Sequence, residues 1–116
     1  MQPVVYLVRD LLFVSKIRET ADQLGVPVAP ARDPESLRDA ARDARLVIVD
    51  LRRPDALSAL ELLAADPAAA AVPSVGFVDH ERTDVMDAAR ARGCGTVLAK
   101  GRFASELPAL LAPSGA

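Results

Sequence analysis

The feature that most constrains this chain is a hydrophobic pattern that keeps changing period. Short continuous apolar runs, VVYLV (Val4 to Val8), LVIVDL (Leu46 to Leu51), VPSVGFV (Val72 to Val78) and TVLA (Thr96 to Ala99), alternate with segments of helical spacing. Continuous runs suit strands covered on both faces, and the intervening three-and-four spacing suits the helices that cover them. A weaker run, VPVA, is broken by Pro27 and belongs at a sheet edge, since proline cannot donate to a ladder. The pattern predicts a single α/β domain over residues 1–116, a (βα)5 unit with a five-stranded parallel sheet, helices on both faces and no separate output domain.

The helices have readable ends. Phe13, Ile17, Ala21 and Leu24 make one face of the first, and Gly25 stops it. Asp33 caps the second, with Pro34 in its first turn and Leu37, Ala40, Ala41 and Ala44 inward. The third runs from about Ala56 to Ala65, with Leu57, Leu60 and Leu63 or Ala64 inward, and the following ADPAAAAVP reads as a plain connection. The fourth carries Val85, Met86 and Ala89 and ends at Arg92 and Gly93. A short last helix surrounds Leu107, Leu110 and Leu111, with Pro108 in its first turn.

Composition removes several function classes. One cysteine, Cys94, forbids an internal disulfide, and with a single histidine it cannot furnish a zinc site. The N-terminus lacks the pattern of a secretory signal, and no apolar stretch approaches roughly 18 residues, so a cytoplasmic protein without membrane insertion is expected. A formal net charge of -2 and four aromatics argue against nucleic acid. Cys94, between two glycines, reads as a buried, inert residue; only His80 could serve it as a base, and nothing places it there.

Polar residues collect where the strands end: Arg9 and Asp10 after the first, Asp50 at the third, Asp79 and His80 after the fourth, Lys100 after the fifth. In a parallel sheet these ends share one edge, with a crevice at the switch between the first and third strands. Asp10, Asp50 and Lys100 are therefore expected in one pocket.

VIVDLRRPDALSALELL resembles the third strand, turn and third helix of bacterial response-regulator receiver domains, GTVLAKGRF resembles their fifth strand with its lysine, and YLVRD lies where their first strand ends in acids. The resemblance spans nearly the whole chain and implies the flavodoxin-like strand order 2-1-3-4-5. It implies a stand-alone signalling module of a two-component phosphorelay. Asp50 would be the phosphoacceptor for a histidine kinase or phosphotransfer protein, Asp10 and Asp50 would hold Mg2+, and Lys100 would contact the phosphoryl group. No enzyme is implied beyond an aspartyl phosphoacceptor with weak autodephosphorylation. The fourth helix, fifth strand and last helix, with Arg90, Arg92, Asp84, Asp87 and Arg102, would dock a downstream protein.

Four positions depart from that pattern and make the chain atypical. Arg9 stands where a second acid is usual, Val78 where a hydroxyl is usual, and Gly101 where proline is usual; Asp79 can restore one charge only by turning inward. The segment after Pro54 is also one residue longer. Asp10, Asp50, Arg9 and Lys100 sum to zero charge, so any Mg2+ binding is expected to be weak. At about 4 Å an arginine would attract a carboxylate by roughly 4 kcal/mol at an effective dielectric near 20, before desolvation. Two readings of Arg9 stand: it occupies the ion's place, or it snorkels into solvent. The function accordingly has two forms, a phosphorylated receiver or a phosphorylation-independent pseudo-receiver, an interaction protein in which Arg9 replaces the metal.

Overall fold

The computed structural model describes residues 1–113. Five strands, β1 (Val4–Leu7), β2 (Val28–Pro30), β3 (Leu46–Asp50), β4 (Ser74–Val78) and β5 (Thr96–Ala99), pair in the order β2-β1-β3-β4-β5, every pair parallel. The expected order and edge placement of β2 are both found, with Pro27 just before the strand. Six helices connect and follow them: α1 (Leu11–Leu24), α2 (Pro34–Ala41), α3 (Ala56–Ala65), α4 (Pro67–Ala70), α5 (Thr83–Ala91) and α6 (Lys100–Leu111). No helix is long and apolar enough to cross a membrane among the described residues.

Alternation along the strands divides the core into two layers. Val4, Tyr6, Ile48, Val75 and Phe77 face α1 and α6, where Phe13, Ile17, Phe103, Leu107 and Leu111 cover them. Val5, Leu7, Val47, Val49 and Val78 face the opposite layer, with Leu37, Leu60, Leu63 and Ala89. Asp50 is two residues beyond Ile48 and in register with Phe77, so its side chain lies on the α1/α6 face. Gly76 lies on the other face, where a Cβ would come within 2.9 Å of Leu51 Cδ1.

Local chemistry explains the ends. Gly25 closes α1 in the left-handed region at φ 68°, and Asp33 opens α2 by accepting from Ser36 N at 2.8 Å. Three expectations need correction. Leu24 is 38% exposed, because it sits at the last turn of α1, beside the Gly25 cap and past the buried stripe of Phe13, Ile17 and Ala21. The alanine-rich connection folds into α4, since Asp66 accepts from Ala69 N at 3.1 Å, Pro67 presets the first turn and Ala69 enters the core. The last helix begins at Lys100 rather than near Pro108, because buried Phe103 and Leu107 extend its apolar stripe backwards. Pro108 therefore lies inside α6, where its ring gives up a helical hydrogen bond. Arg45, at the entry to β3, donates to the carbonyl of Leu111 and ties the end of α6 to the sheet.

Candidate functional site

At the carboxyl end of β3 the chain turns sharply, and Asp50 directs the turn. Its Oδ1 accepts the main-chain N–H of Arg52 at 3.0 Å, an Asx-type turn, while its carbonyl accepts from Arg53 N at 3.2 Å. The same geometry brings the Arg52 side chain back over the carboxylate. Arg52 Nε donates to Asp50 Oδ1 at 2.9 Å and Nη2 to Oδ2 at 3.1 Å. Asp50 is 1% exposed, yet both of its oxygens are satisfied. That satisfaction is what makes a buried carboxylate tolerable.

Asp10 approaches from the β1–α1 loop. It caps α1, with Oδ1 accepting from Leu12 N at 2.8 Å, and its Oδ2 lies 3.3 Å from Arg52 Nη1. The Leu12 N–H first, and the Arg52 charge after it, hold the Asp10 carboxyl below its ordinary range. The hydrogen bonds to Asp50 in turn push the Arg52 guanidinium further toward its charged form. Beneath the guanidinium lie Phe13 and Phe77, with ring centroids at 5.3 and 5.5 Å from its central carbon. Phe103 stacks on Phe77 at 4.3 Å, so α1, β4 and α6 each contribute one ring.

Arg9, Asp10, Asp50, Arg52 and Arg53 line an open cleft of about 420 Å3. The fold brings Asp10 and Asp50 together as expected, but Lys100 is not among the lining residues. Lys100 Nζ instead lies 2.9 Å from Asp79 Oδ1, an ion pair at the ends of β5 and β4, and this lowers the Asp79 pKa. Asp79, at the end of the neighbouring strand, lies within the lysine's reach, so the ion pair Lys100 makes is with Asp79 rather than with Asp50. Of the two readings of Arg9, the structure has the exposed one: it lines the cleft and has no ion-pair partner among the described residues. Arg52, not Arg9, stands between the two carboxylates. Arg53 turns away, binding both oxygens of Asp55 at 2.8 and 2.9 Å.

Val78 is buried in the core facing α2, α3 and α5 and presents no hydroxyl to the cleft. Gly101 lies in the first turn of α6, and a Cβ there would meet open space. His80 is exposed beside Glu81. Cys94 is buried, its thiol pKa pushed up by burial, consistent with an inert residue. The sequence did carry a signal for Arg52: an aspartate ending a strand, followed two residues later by arginine, places both the main chain and side chain of that arginine against the carboxylate.

The arrangement can be tested against the Mg2+ that the resemblance implies. Magnesium is usually held through one or two carboxylates together with waters and phosphate oxygens. Asp10 and Asp50 are suitable donors, but the Arg52 guanidinium stands between them and engages both oxygens of Asp50. Among the described residues no three His, Cys, Asp or Glu side chains gather as metal ligands. As arranged, the donor set does not fit a divalent ion.

No family model matches this sequence, and no curated protein matches it. Solved structures do. The receiver domain of a sensor histidine kinase from Pseudomonas aeruginosa PAO1, with magnesium coordinated in its active-site cleft, superposes with a TM-score of 0.78 at 21% identity, over 95% of this chain and 93% of that one. The phosphorylated cyanobacterial phytochrome response regulator RcpA gives 0.76 at 18% identity, over 95% and 88%. The chemotaxis response regulator CheY4 of Vibrio cholerae gives 0.78 at 17% identity, over 96% of both chains. With its parallel strands in the order β2-β1-β3-β4-β5 and these superpositions over nearly its full described length, the chain has the receiver-domain fold.

Proposed function

We propose that this chain is a receiver-type signalling module that acts by docking to another protein, and that it does so without phosphorylation of Asp50. One observation carries the reading: both Asp50 oxygens are occupied by Arg52 and the residue is 1% exposed. An aspartate that accepts a phosphoryl group must offer an oxygen as a nucleophile. Here that oxygen is free only after a guanidinium with two partners and an aromatic platform has moved. Docking is assigned to the α5, β5 and α6 face. Its charged residues are engaged in exposed pairs, Arg90 with Asp87, Arg92 with Glu61 and Arg82 with Asp84, which a partner can exchange at little cost.

The competing reading, Asp50 as phosphoacceptor for a histidine kinase or phosphotransfer protein, draws support from its position at the end of β3 and from the partly open cleft above it. Treatment with a small-molecule phosphodonor, with and without magnesium, followed by intact mass, separates the two. The proposed function expects an unmodified chain under both conditions. Near-stoichiometric, magnesium-dependent addition of a phosphoryl group, lost in Asp50→Asn, would overturn it.

A further inference from the structure

Arg52 makes more than a surface ion pair. Three different nitrogens of one guanidinium reach two carboxylates that arrive from different loops: Nη1 lies 3.3 Å from Asp10 Oδ2, Nε 2.9 Å from Asp50 Oδ1 and Nη2 3.1 Å from Asp50 Oδ2. Each carboxylate is also aimed by a main-chain N–H, Leu12 N on Asp10 and Arg52 N on Asp50. The central carbon of the guanidinium lies over the Phe13 and Phe77 rings, 5.3 and 5.5 Å from their centroids, and Phe103 stacks on Phe77 at 4.3 Å. These are all three phenylalanines of the chain. Of the other cations at this edge, Lys100 is committed to Asp79 and Arg53 to Asp55, and Arg9 is exposed.

We propose that Arg52 is the resident cation of this site, a covalently attached substitute for a divalent ion that joins the β1–α1 loop to the β3–α3 turn and keeps metal out. The inference rests on the receiver-type reading of the site. An arginine suits the role where a lysine does not. Its fork reaches two acids at fixed angles while its charge lies over two rings, whereas an ammonium is a single point charge on a flexible stem. The rings hold the guanidinium in place with a cation–π contribution that strengthens as water is excluded. With Arg52 in place the three groups carry one net negative charge. Without it, two carboxylates face each other across an open cleft, which is a donor arrangement a hydrated magnesium ion accepts.

The test uses magnesium and manganese alone, with no phosphodonor. Binding is followed by calorimetry, by manganese-induced broadening of the amides near Asp10 and Asp50, and by the Arg52 Nε–H resonance. The wild-type chain is expected to show no saturable magnesium binding in the millimolar range, weaker than the roughly 1 mM of the weakest oxygen-ligand sites, and an Arg52 Nε–H signal that magnesium does not move. Arg52→Met, or Arg52→Gln where the first folds poorly, is expected to bind magnesium about tenfold more tightly or better, the effect of deleting one charge from the cleft. If neither variant folds, the wild-type resonance decides. Saturable low-millimolar binding by the wild-type chain with displacement of that resonance, or folded variants that bind no better than wild type, would overturn the inference. Those outcomes leave the docking function standing, whereas phosphorylation of a wild-type chain that binds no metal would overturn the phosphorylation-independent reading and leave this one intact.

Discussion

Arg52 and Asp50, two positions apart, are joined by three hydrogen bonds: one from the Arg52 main chain and two from its guanidinium. The turn that ends β3 and the charge that neutralises its last residue therefore come from the same amino acid. A strand can end on a buried carboxylate here because the next two residues bring its counter-ion with them.

Removing the guanidinium should cost stability, because it strands a carboxylate that is 1% exposed. Breaking a buried pair from one side typically costs 3–5 kcal/mol, and partial exposure of the Arg52 side chain favours the low end, about 3 kcal/mol. Arg52→Met should lower the urea midpoint accordingly. Asp50→Asn with Arg52→Met should recover a large part of the loss, and a double-mutant cycle from denaturation curves measures it.

Phe103 is the ring on which the aromatic platform leans, and it is fully buried. Phe103→Ala should destabilise the fold by about 3–5 kcal/mol, the usual range for emptying such a site. It should also broaden the Arg52 Nε–H resonance, as Phe77 loses its support. A stability loss without any change at Arg52 would separate the aromatic platform from the hold on Arg52.

Gly76 faces Leu51, and an added methyl would sit 2.9 Å from its Cδ1. Gly76→Ala should therefore cost about 1–3 kcal/mol by overpacking, with Leu51 forced to a new rotamer. Gly101→Ala is a control at an open position in the first turn of α6. It should be neutral or slightly stabilising, since alanine favours a helix over glycine by up to about 1 kcal/mol.

Acid should unfold the chain through its capping and paired aspartates. Asp66 is held below its ordinary value of 3.8 chiefly by Arg42, Asp33 by the Ser36 N–H and Asp10 by the Leu12 N–H. A carboxyl whose pKa is lower folded than unfolded contributes stability that is complete above the unfolded value and lost as pH falls through the folded one. The melting temperature should thus change little through these groups above about pH 5 and drop below about pH 4. In Asp66→Asn the acid limb should be shallower, a comparison made by circular dichroism across the pH series.

The sheet was legible because buried parallel strands must be written as continuous apolar runs, and VVYLV and LVIVDL leave no other use for their residues. Gly25 and Asp33 were legible because each end of a helix demands specific chemistry. The alanines after Asp66 hid α4, since a four-residue helix has too few positions to display a period. Pro108 misplaced the start of α6, where the buried pair Phe103 and Leu107 was the stronger signal. At the site, proximity in the chain suggested Arg9 beside Asp10. Geometry gave the position to Arg52, because an Asx turn folds residue 52 back onto residue 50, while Arg9 stays exposed. The capture of Lys100 by Asp79 joins residues 21 positions apart, a pairing no local pattern expresses.

A crystal structure of the wild-type chain grown in high magnesium tests the central claim most directly. The account predicts that Arg52 remains hydrogen-bonded to Asp50 and in contact with Asp10, over Phe13 and Phe77, with no metal between the two carboxylates. A magnesium ion held by Asp10 and Asp50, with the Arg52 side chain swung out of the cleft, would contradict it.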